Sequence, residues 1–277
     1  MTDTRLTPAN GRVAASHLRG QVEAAAFVDP TPMQVAVPVA DLLGQSDGSR
    51  ERQLLLGAAI DVYEWRDGFA YVQGPDGYTG YVAAADMAPA GPPASPVTHR
   101  VASMATHAYE AEDFKSPERA HLPFGCRVQV LDERRKFYET HIGFIPKKHL
   151  RALDRPFGDP ATVAQMHFGV PYLWGGNSTL GLDCSGLVSA ALGACDIACL
   201  GDADLQEAAL GTDLDPDAPL QRGDLLFWRG HVGMMVDAQT LIHANAHHMA
   251  VAYEPVEQAI LRIEAQGDGP VTSRKRL

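Results

Sequence analysis

A cysteine followed at long range by two histidines is the part of this sequence that could do covalent chemistry. Cys184 sits in Asp183-Cys184-Ser185-Gly186. Ahead of it is Pro171-Tyr172-Leu173-Trp174-Gly175-Gly176, an extended, turn-rich segment, and after it Leu187, Val188, Ala191 and Leu192 recur at helical spacing. Cys184 is therefore expected in the first turn of a helix, where unpaired N–H groups and the positive end of the helix dipole stabilise a thiolate. The tetrapeptide alone fits equally well a buried cysteine that packs as a small apolar side chain. His231 follows 47 residues later in Gly230-His231-Val232-Gly233, and His243 comes 12 residues after that in Leu241-Ile242-His243-Ala244. A nucleophilic thiol needs a base, and the base needs a partner that orients its ring.

The elements around the histidines suit that task. Leu225-Leu226-Phe227-Trp228 and His231 to Val236 read as two apolar strands joined by a short turn at Arg229-Gly230. His231 would open the second strand, where a hairpin can project a side chain into a cleft. His243 would lie on a short third strand. A lone histidine on an apolar strand is usually a packing or surface residue; two on successive strands after a helix-start cysteine are much less common by chance.

From Gly169 to Val251 the chain resembles the NlpC-type cysteine peptidases of bacterial cell-wall metabolism. The pieces that carry the resemblance are Tyr172-Leu173-Trp174-Gly175-Gly176, Asp183-Cys184-Ser185-Gly186, Gly223-Asp224-Leu225-Leu226-Phe227-Trp228, His231-Val232-Gly233 and His243-Ala244, in the family's order. The resemblance implies an α+β, circularly permuted papain-like core. It makes Cys184 the nucleophile, His231 the general base and then acid, and His243 the orienting residue. Tyr172 would form the oxyanion site with the Cys184 N–H. Trp174 is expected simply to pack in its loop.

Proline-rich breaks at residues 88–96 and 154–160 divide the chain. The expected organisation is an N-terminal extension at 1–30, small β-rich domains at 31–90 and 97–153, and the catalytic domain at 154–277. The two β-rich pieces look like diverged copies of one unit, with about five short strands and glycine-bearing turns such as Arg66-Asp67-Gly68. Both resemble the bacterial SH3-like barrel, the first more closely. The expected fold class is therefore multidomain: two small SH3-like β-barrels, then the NlpC-type domain.

The 277 residues carry a net charge of −11, with 45% hydrophobic and 21% charged side chains. That balance weighs against nucleic acid or an anionic wall polymer as the main partner. No apolar run approaches a membrane span. Residues 1–28 show neither a secretory signal nor a lipoprotein-type cysteine, and Glu23 interrupts their most apolar stretch. If Cys184 is free, only Cys126, Cys195 and Cys199 remain, an odd number for a disulfide framework, so a reducing cytoplasm is expected. Cys195 and Cys199, at i and i+4, are spaced to share a helix face.

Two SH3-like domains ahead of the core resemble the dipeptidyl-peptidase VI type, γ-D-glutamyl-L-diamino-acid endopeptidases that recycle murein peptides. That resemblance implies a small substrate, L-Ala-γ-D-Glu-diamino acid with a free amine, and no cofactor. It places Asp183 and Ser185 in substrate binding, although Asp183 is equally suited to cap a helix. Asp202, in Gly201-Asp202-Ala203-Asp204, would meet the diamino acid, but Leu200 stands where the family usually has proline. Glu51 and Tyr81 are the candidates from the first barrel, against the default readings of a solvated charge and a packing tyrosine. The rival readings are an amidase or acyltransferase on the same fold, and a wall-binding adaptor with an inactive catalytic domain. A zinc site at His243, His247 and His248 has no supporting carboxylate motif, so no metal is expected. The motifs leave the oligomeric state open.

Overall fold

Short alternating strands with tight turns dominate the first half of the chain. The computed structural model describes residues 3–90 and 96–277; residues 91–95, most of the first proline-rich break, lie outside the described residues. The chain divides into two units, Met1–Leu153 and Asp154–Leu277.

In the first unit, seven strands form one antiparallel sheet. Their order is Arg50–Leu55, Val39–Leu43, Thr79–Ala83, Phe69–Gln73, Ala59–Arg66, Thr31–Val35 and Met87–Pro89. Every second side chain turns inward, and Val35, Leu42, Ile60, Val62, Ala70, Val72 and Val82 are buried. Asp67 (φ 51°) and Gly68 (φ 80°) close the hairpin between Arg66 and Phe69. Positive φ at both loop positions matches the twist of the flanking strands, which is why Asp-Gly occurs there. Residues 3–30 carry a parallel strand pair, Val13–Ala15 with Ala26–Val28, and Ala15 and Leu18 pack on Tyr63 and Tyr71.

Residues 99–152 form a three-stranded and a five-stranded antiparallel sheet around Val101, Ala108, Leu122, Cys126, Val128, Ile145 and Leu150. Leu56, in the turn after the strand Arg50–Leu55, joins this core. The Arg127 N–H donates to the Leu56 carbonyl at 2.8 Å. A Cβ on Gly57 would stand 2.4 Å from the Arg127 carbonyl oxygen. The two β-rich stretches thus meet backbone to backbone within one unit.

The second unit holds four α-helices: α1 (Pro160–Met166), α2 (Cys184–Ala194), α3 (Ala203–Ala209) and α4 (Val256–Gln266). They accompany a six-stranded sheet in the order Thr212–Asp213, Ser273–Arg276, Leu225–Trp228, His231–Met235, Thr240–Asn245 and Ala250–Pro255. Trp228 pairs with His231 across the two-residue turn Arg229-Gly230, and Leu241 pairs with both Met235 and Glu254. Paired residues share a face, as do residues two apart on a strand. Trp228, His231, Leu241, His243 and Glu254 therefore all lie on one face. That face is the one α4 covers, because Leu226, Trp228, Met235 and Leu241 pack against its Val256, Ala259 and Ile263.

The shared helix face expected for Cys195 and Cys199 does not form. Cys195 caps α2, Asp196 follows in a left-handed conformation (φ 60°), and the Ile197 N–H turns back to the Leu192 carbonyl at 3.0 Å. The helix ends there because this turn satisfies its last carbonyls. Cys199 lies in the loop beyond.

Candidate active site

Cys184 is the first residue of α2, and the cap that precedes it explains the surrounding motif. The Asp183 Oδ1 accepts from the Gly186 N–H at 2.6 Å and from the Ser185 hydroxyl at 3.1 Å. Its Oδ2 accepts from the Gly175 N–H at 2.9 Å, and the Asp183 N–H donates to the Gly176 carbonyl at 3.2 Å. One carboxylate thus caps the helix and ties the Gly175-Gly176 loop onto it. The approach is so close that a Cβ on Gly186 would stand 2.2 Å from the Gly176 carbonyl oxygen, so no larger residue fits without moving backbone. The same stitching holds Tyr172, whose N–H donates to the Met249 carbonyl at 2.9 Å. Burial pushes the Tyr172 phenol up to about 12, with the adjacent Cys184 and Asp183 adding to it. Cys184 and Tyr172 are therefore neighbours. Trp174, by contrast, is 70% exposed.

The thiol faces the turn that carries His231. Its Sγ lies 3.9 Å from the Gly230 carbonyl oxygen and also meets the Val232 N–H. His231 Nε2 is 2.9 Å from His243 Nδ1. His243 is fully buried, and its Nε2 is 3.1 Å from Glu254 Oε2. Arg262 of α4 donates to both oxygens of Glu254, from Nε at 2.9 Å and from Nη2 at 2.7 Å. A continuous hydrogen-bonded line thus runs from His231 through His243 and Glu254 to Arg262. His248 joins His243 and Glu254 in a group whose potential ligand atoms lie within 4.8 Å of one another. Both His243 nitrogens and both Glu254 oxygens are already engaged in the line, so the group is organised for hydrogen bonding.

The charge state of the thiol differs from the expected thiolate. Burial, reinforced by the Asp183 carboxylate, pushes Cys184 up to about 12. The N–H groups at the helix start and of Val232 pull the other way and are outweighed. Burial, with His243 and Arg262 adding to it, drives His231 down to about 3. At rest the Cys184 thiol and the His231 imidazole are both neutral. Alkylation of Cys184 by iodoacetamide is accordingly expected to keep accelerating with pH through the neutral and mildly alkaline range. A rate that levels off below neutral pH, followed by mass spectrometry of the labelled peptide, would reveal a preformed thiolate instead.

The remaining candidates are placed as follows. Ser185 is buried, with its hydroxyl on Asp183 and its carbonyl accepting from Gln206 Nε2 at 3.0 Å. Gln206 belongs to α3, so this bond anchors α3 to the helix that carries the cysteine. Asp202 heads α3 with φ 45° and ψ 145°, a conformation that costs a non-glycine residue on the order of 1–3 kcal/mol. Glu51 and Tyr81 belong to the first unit. Glu51 is the extra residue of a β-bulge opposite Leu42 and Leu43. The Tyr81 hydroxyl accepts from Asn10 Nδ2 and Arg12 Nη2, both at 3.1 Å, and its ring packs on Tyr71. Arg12 also pairs with Glu64. Glu254 and Arg262 were not singled out from the sequence. A carboxylate two strand positions past His243's cross-strand partner, followed by an arginine two turns into a helix, could have flagged them only with the register in hand.

Residues 169–265 match the NlpC/P60 family, and residues 44–87 match the bacterial dipeptidyl-peptidase SH3 domain. Over 83 residues the chain is 38% identical to the dipeptidyl-peptidase 6 of Lysinibacillus sphaericus, a stretch that spans 30% of this chain and 30% of that relative. A crystal structure of an NlpC/P60 family protein from Bacillus cereus shares the fold with a TM-score of 0.74 at 18% identity, covering 88% of this chain and 99% of that one. The cysteine at the head of α2 and the two strand histidines lie within the stretch that matches the first family, and the chain therefore carries an NlpC/P60 domain at residues 169–265, preceded by a bacterial dipeptidyl-peptidase SH3 domain at residues 44–87.

Proposed function

We propose that this protein is a cysteine peptidase that hydrolyses the γ-D-glutamyl–diamino acid bond of small murein peptides with a free N-terminal L-Ala. The observation that carries the reading is the contiguity of Cys184, Tyr172, His231 and His243, with the thiol seated against the turn that presents the base. The likeness to the dipeptidyl-peptidase 6 of Lysinibacillus sphaericus supports it. In this reading the two β-rich stretches of the first unit are SH3-like domains, and the second unit is a permuted papain-like core.

The chemistry follows from the neutral resting pair. His231 takes the proton from Sγ as the sulfur attacks the γ-glutamyl carbonyl carbon. The tetrahedral oxyanion is met by the Cys184 N–H at the open start of α2 and by the Tyr172 hydroxyl. The C–N bond breaks as His231 returns the proton to the leaving amine, and a thioester remains. Water then attacks with His231 again as base, releasing the γ-carboxylate and restoring the thiol. Because the proton leaves Sγ during attack, no thiolate is needed at rest.

Asp183 and Ser185 flank the nucleophile in this proposal, and the Asp183 carboxylate suits an ammonium group on the substrate. Asp202, held in its unusual conformation at the head of α3, is the candidate for the diamino acid. The test is a digest of L-Ala-γ-D-Glu-meso-diaminopimelate with products identified by mass. Release of L-Ala-γ-D-Glu and free diaminopimelate is expected, and an intact tripeptide would end this reading. The N-acetylated tripeptide is expected to show kcat/KM lower by roughly 10- to 100-fold, because acetylation leaves a carboxylate without its charged partner. Equal kcat/KM on both peptides would point to an open cleft that does not read the amine.

A further inference from the structure

We infer that Glu254, oriented by Arg262, is a positioning residue that sets the tautomers of both histidines, so that the lone pair of His231 Nδ1 is left for the thiol. This rests on the cysteine-peptidase reading for its kinetic consequence, but the tautomers themselves can be observed without any substrate.

The argument starts from what each atom can do. An ionised carboxylate only accepts hydrogen bonds. Burial works to raise the Glu254 carboxyl, but the hydrogen bonds from Arg262 and His243 outweigh it and hold the group well below the usual carboxylate range. Glu254 is thus ionised, and the partner atom 3.1 Å away, His243 Nε2, must carry a proton. His243 is fully buried, and burial favours its neutral form. A neutral imidazole protonated at Nε2 has its lone pair on Nδ1. The contact of 2.9 Å between His243 Nδ1 and His231 Nε2 then needs its proton on His231 Nε2. His231 Nδ1 is left unprotonated. The nitrogen that must act as base is chosen two side chains away.

Arg262 gives this device its direction. A guanidinium has only donors, and here two of them hold both oxygens of Glu254. An ordinary ion pair pinning α4 to the sheet would need no third partner. Glu254 nonetheless also points Oε2 at a fully buried ring nitrogen. Oε2 is the oxygen that faces both His243 Nε2 and Arg262 Nη2. In Glu254→Gln the amide oxygen takes that position, because an NH2 group there would meet the guanidinium donor, and the tautomers are kept. In Glu254→Leu the acceptor is gone, His243 Nδ1 is free to carry the proton, and the proton of His231 then moves onto Nδ1.

The test combines spectroscopy and kinetics on the full chain. With 15N-labelled histidine, and the His231 and His243 signals assigned by His231→Gln and His243→Gln, the unmodified protein is expected to show both rings protonated at Nε2 and bare at Nδ1. The opposite tautomer at His231 would overturn the inference, and this measurement does not depend on any Glu254 variant folding. Glu254→Leu is expected to lose the Nε2–H tautomer at both rings and to lower kcat on the order of 10²-fold with KM changed by less than about twofold, by analogy with loss of an orienting carboxylate, whereas Glu254→Gln keeps both tautomers and most of kcat. Unchanged tautomers or an unchanged kcat in a folded Glu254→Leu would equally overturn it. If the unmodified protein does not cleave the tripeptide, the proposed function falls, while the tautomer measurement still decides the role of Glu254.

Discussion

Cys184→Ala is expected to abolish hydrolysis of the murein tripeptide, with kcat lowered by at least about 10⁴-fold, while the protein remains folded. The magnitude follows from removing the nucleophile of a covalent mechanism, where only binding and oxyanion stabilisation remain to act on water. No other cysteine can take over. Cys126 is fully buried in the first unit, with its thiol on the Pro38 carbonyl and burial pushing it up to about 12. Cys195 and Cys199 lie at and beyond the far end of α2. The fold should survive because the cap depends on the Asp183 side chain and on backbone N–H groups, not on the sulfur. Circular dichroism and single-turnover assays of the pure variant check both halves. Hydrolysis retained in a folded alanine variant would remove the basis of the mechanism.

His231→Ala is expected to match that loss to within about an order of magnitude, whereas His243→Asn should lower kcat on the order of 10²-fold. The difference follows from the contacts. His231 follows Gly230, whose carbonyl the thiol meets, while His243 lies one ring further along the line, between His231 and Glu254. Asparagine is preferred to alanine at position 243 because the site is fully buried, and an empty space there would leave the Glu254 carboxylate short of a donor. The double variant should be no slower than His231→Ala alone, since an orienting residue has no effect once the ring it orients is gone. Steady-state kinetics on the four proteins decide the matter. Equal, mild and additive losses would mark both histidines as structural.

The sequence by itself determined the local parts of this site. Asp183 ahead of Cys184, and a helical spacing behind it, placed Cys184 in the first turn of a helix, because a cap and its first turn involve only adjacent groups. Arg229-Gly230 between two apolar runs likewise located the hairpin that presents His231, because a two-residue turn sets the register of both strands. The glycines of the Gly175-Gly176 loop and Gly186 were legible as motif, though the reason for them, a carbonyl passing 2.2 Å from where a Cβ would stand, was not.

Only the tertiary structure decided the rest. Glu254 and Arg262 became part of the site through the pairing of Leu241 with Glu254 and the placement of α4 over that face, and neither follows from spacing along the chain. The charge state of Cys184 was reversed for a related reason. The helix start that favours a thiolate is a local feature, but burial comes from the whole packed surroundings and outweighs the local one. Cys195 and Cys199 were separated by a turn whose closing bond reaches back to Leu192. Capping and tight turns are settled by neighbours in sequence, whereas burial and cross-strand register depend on residues that meet only when the chain has folded.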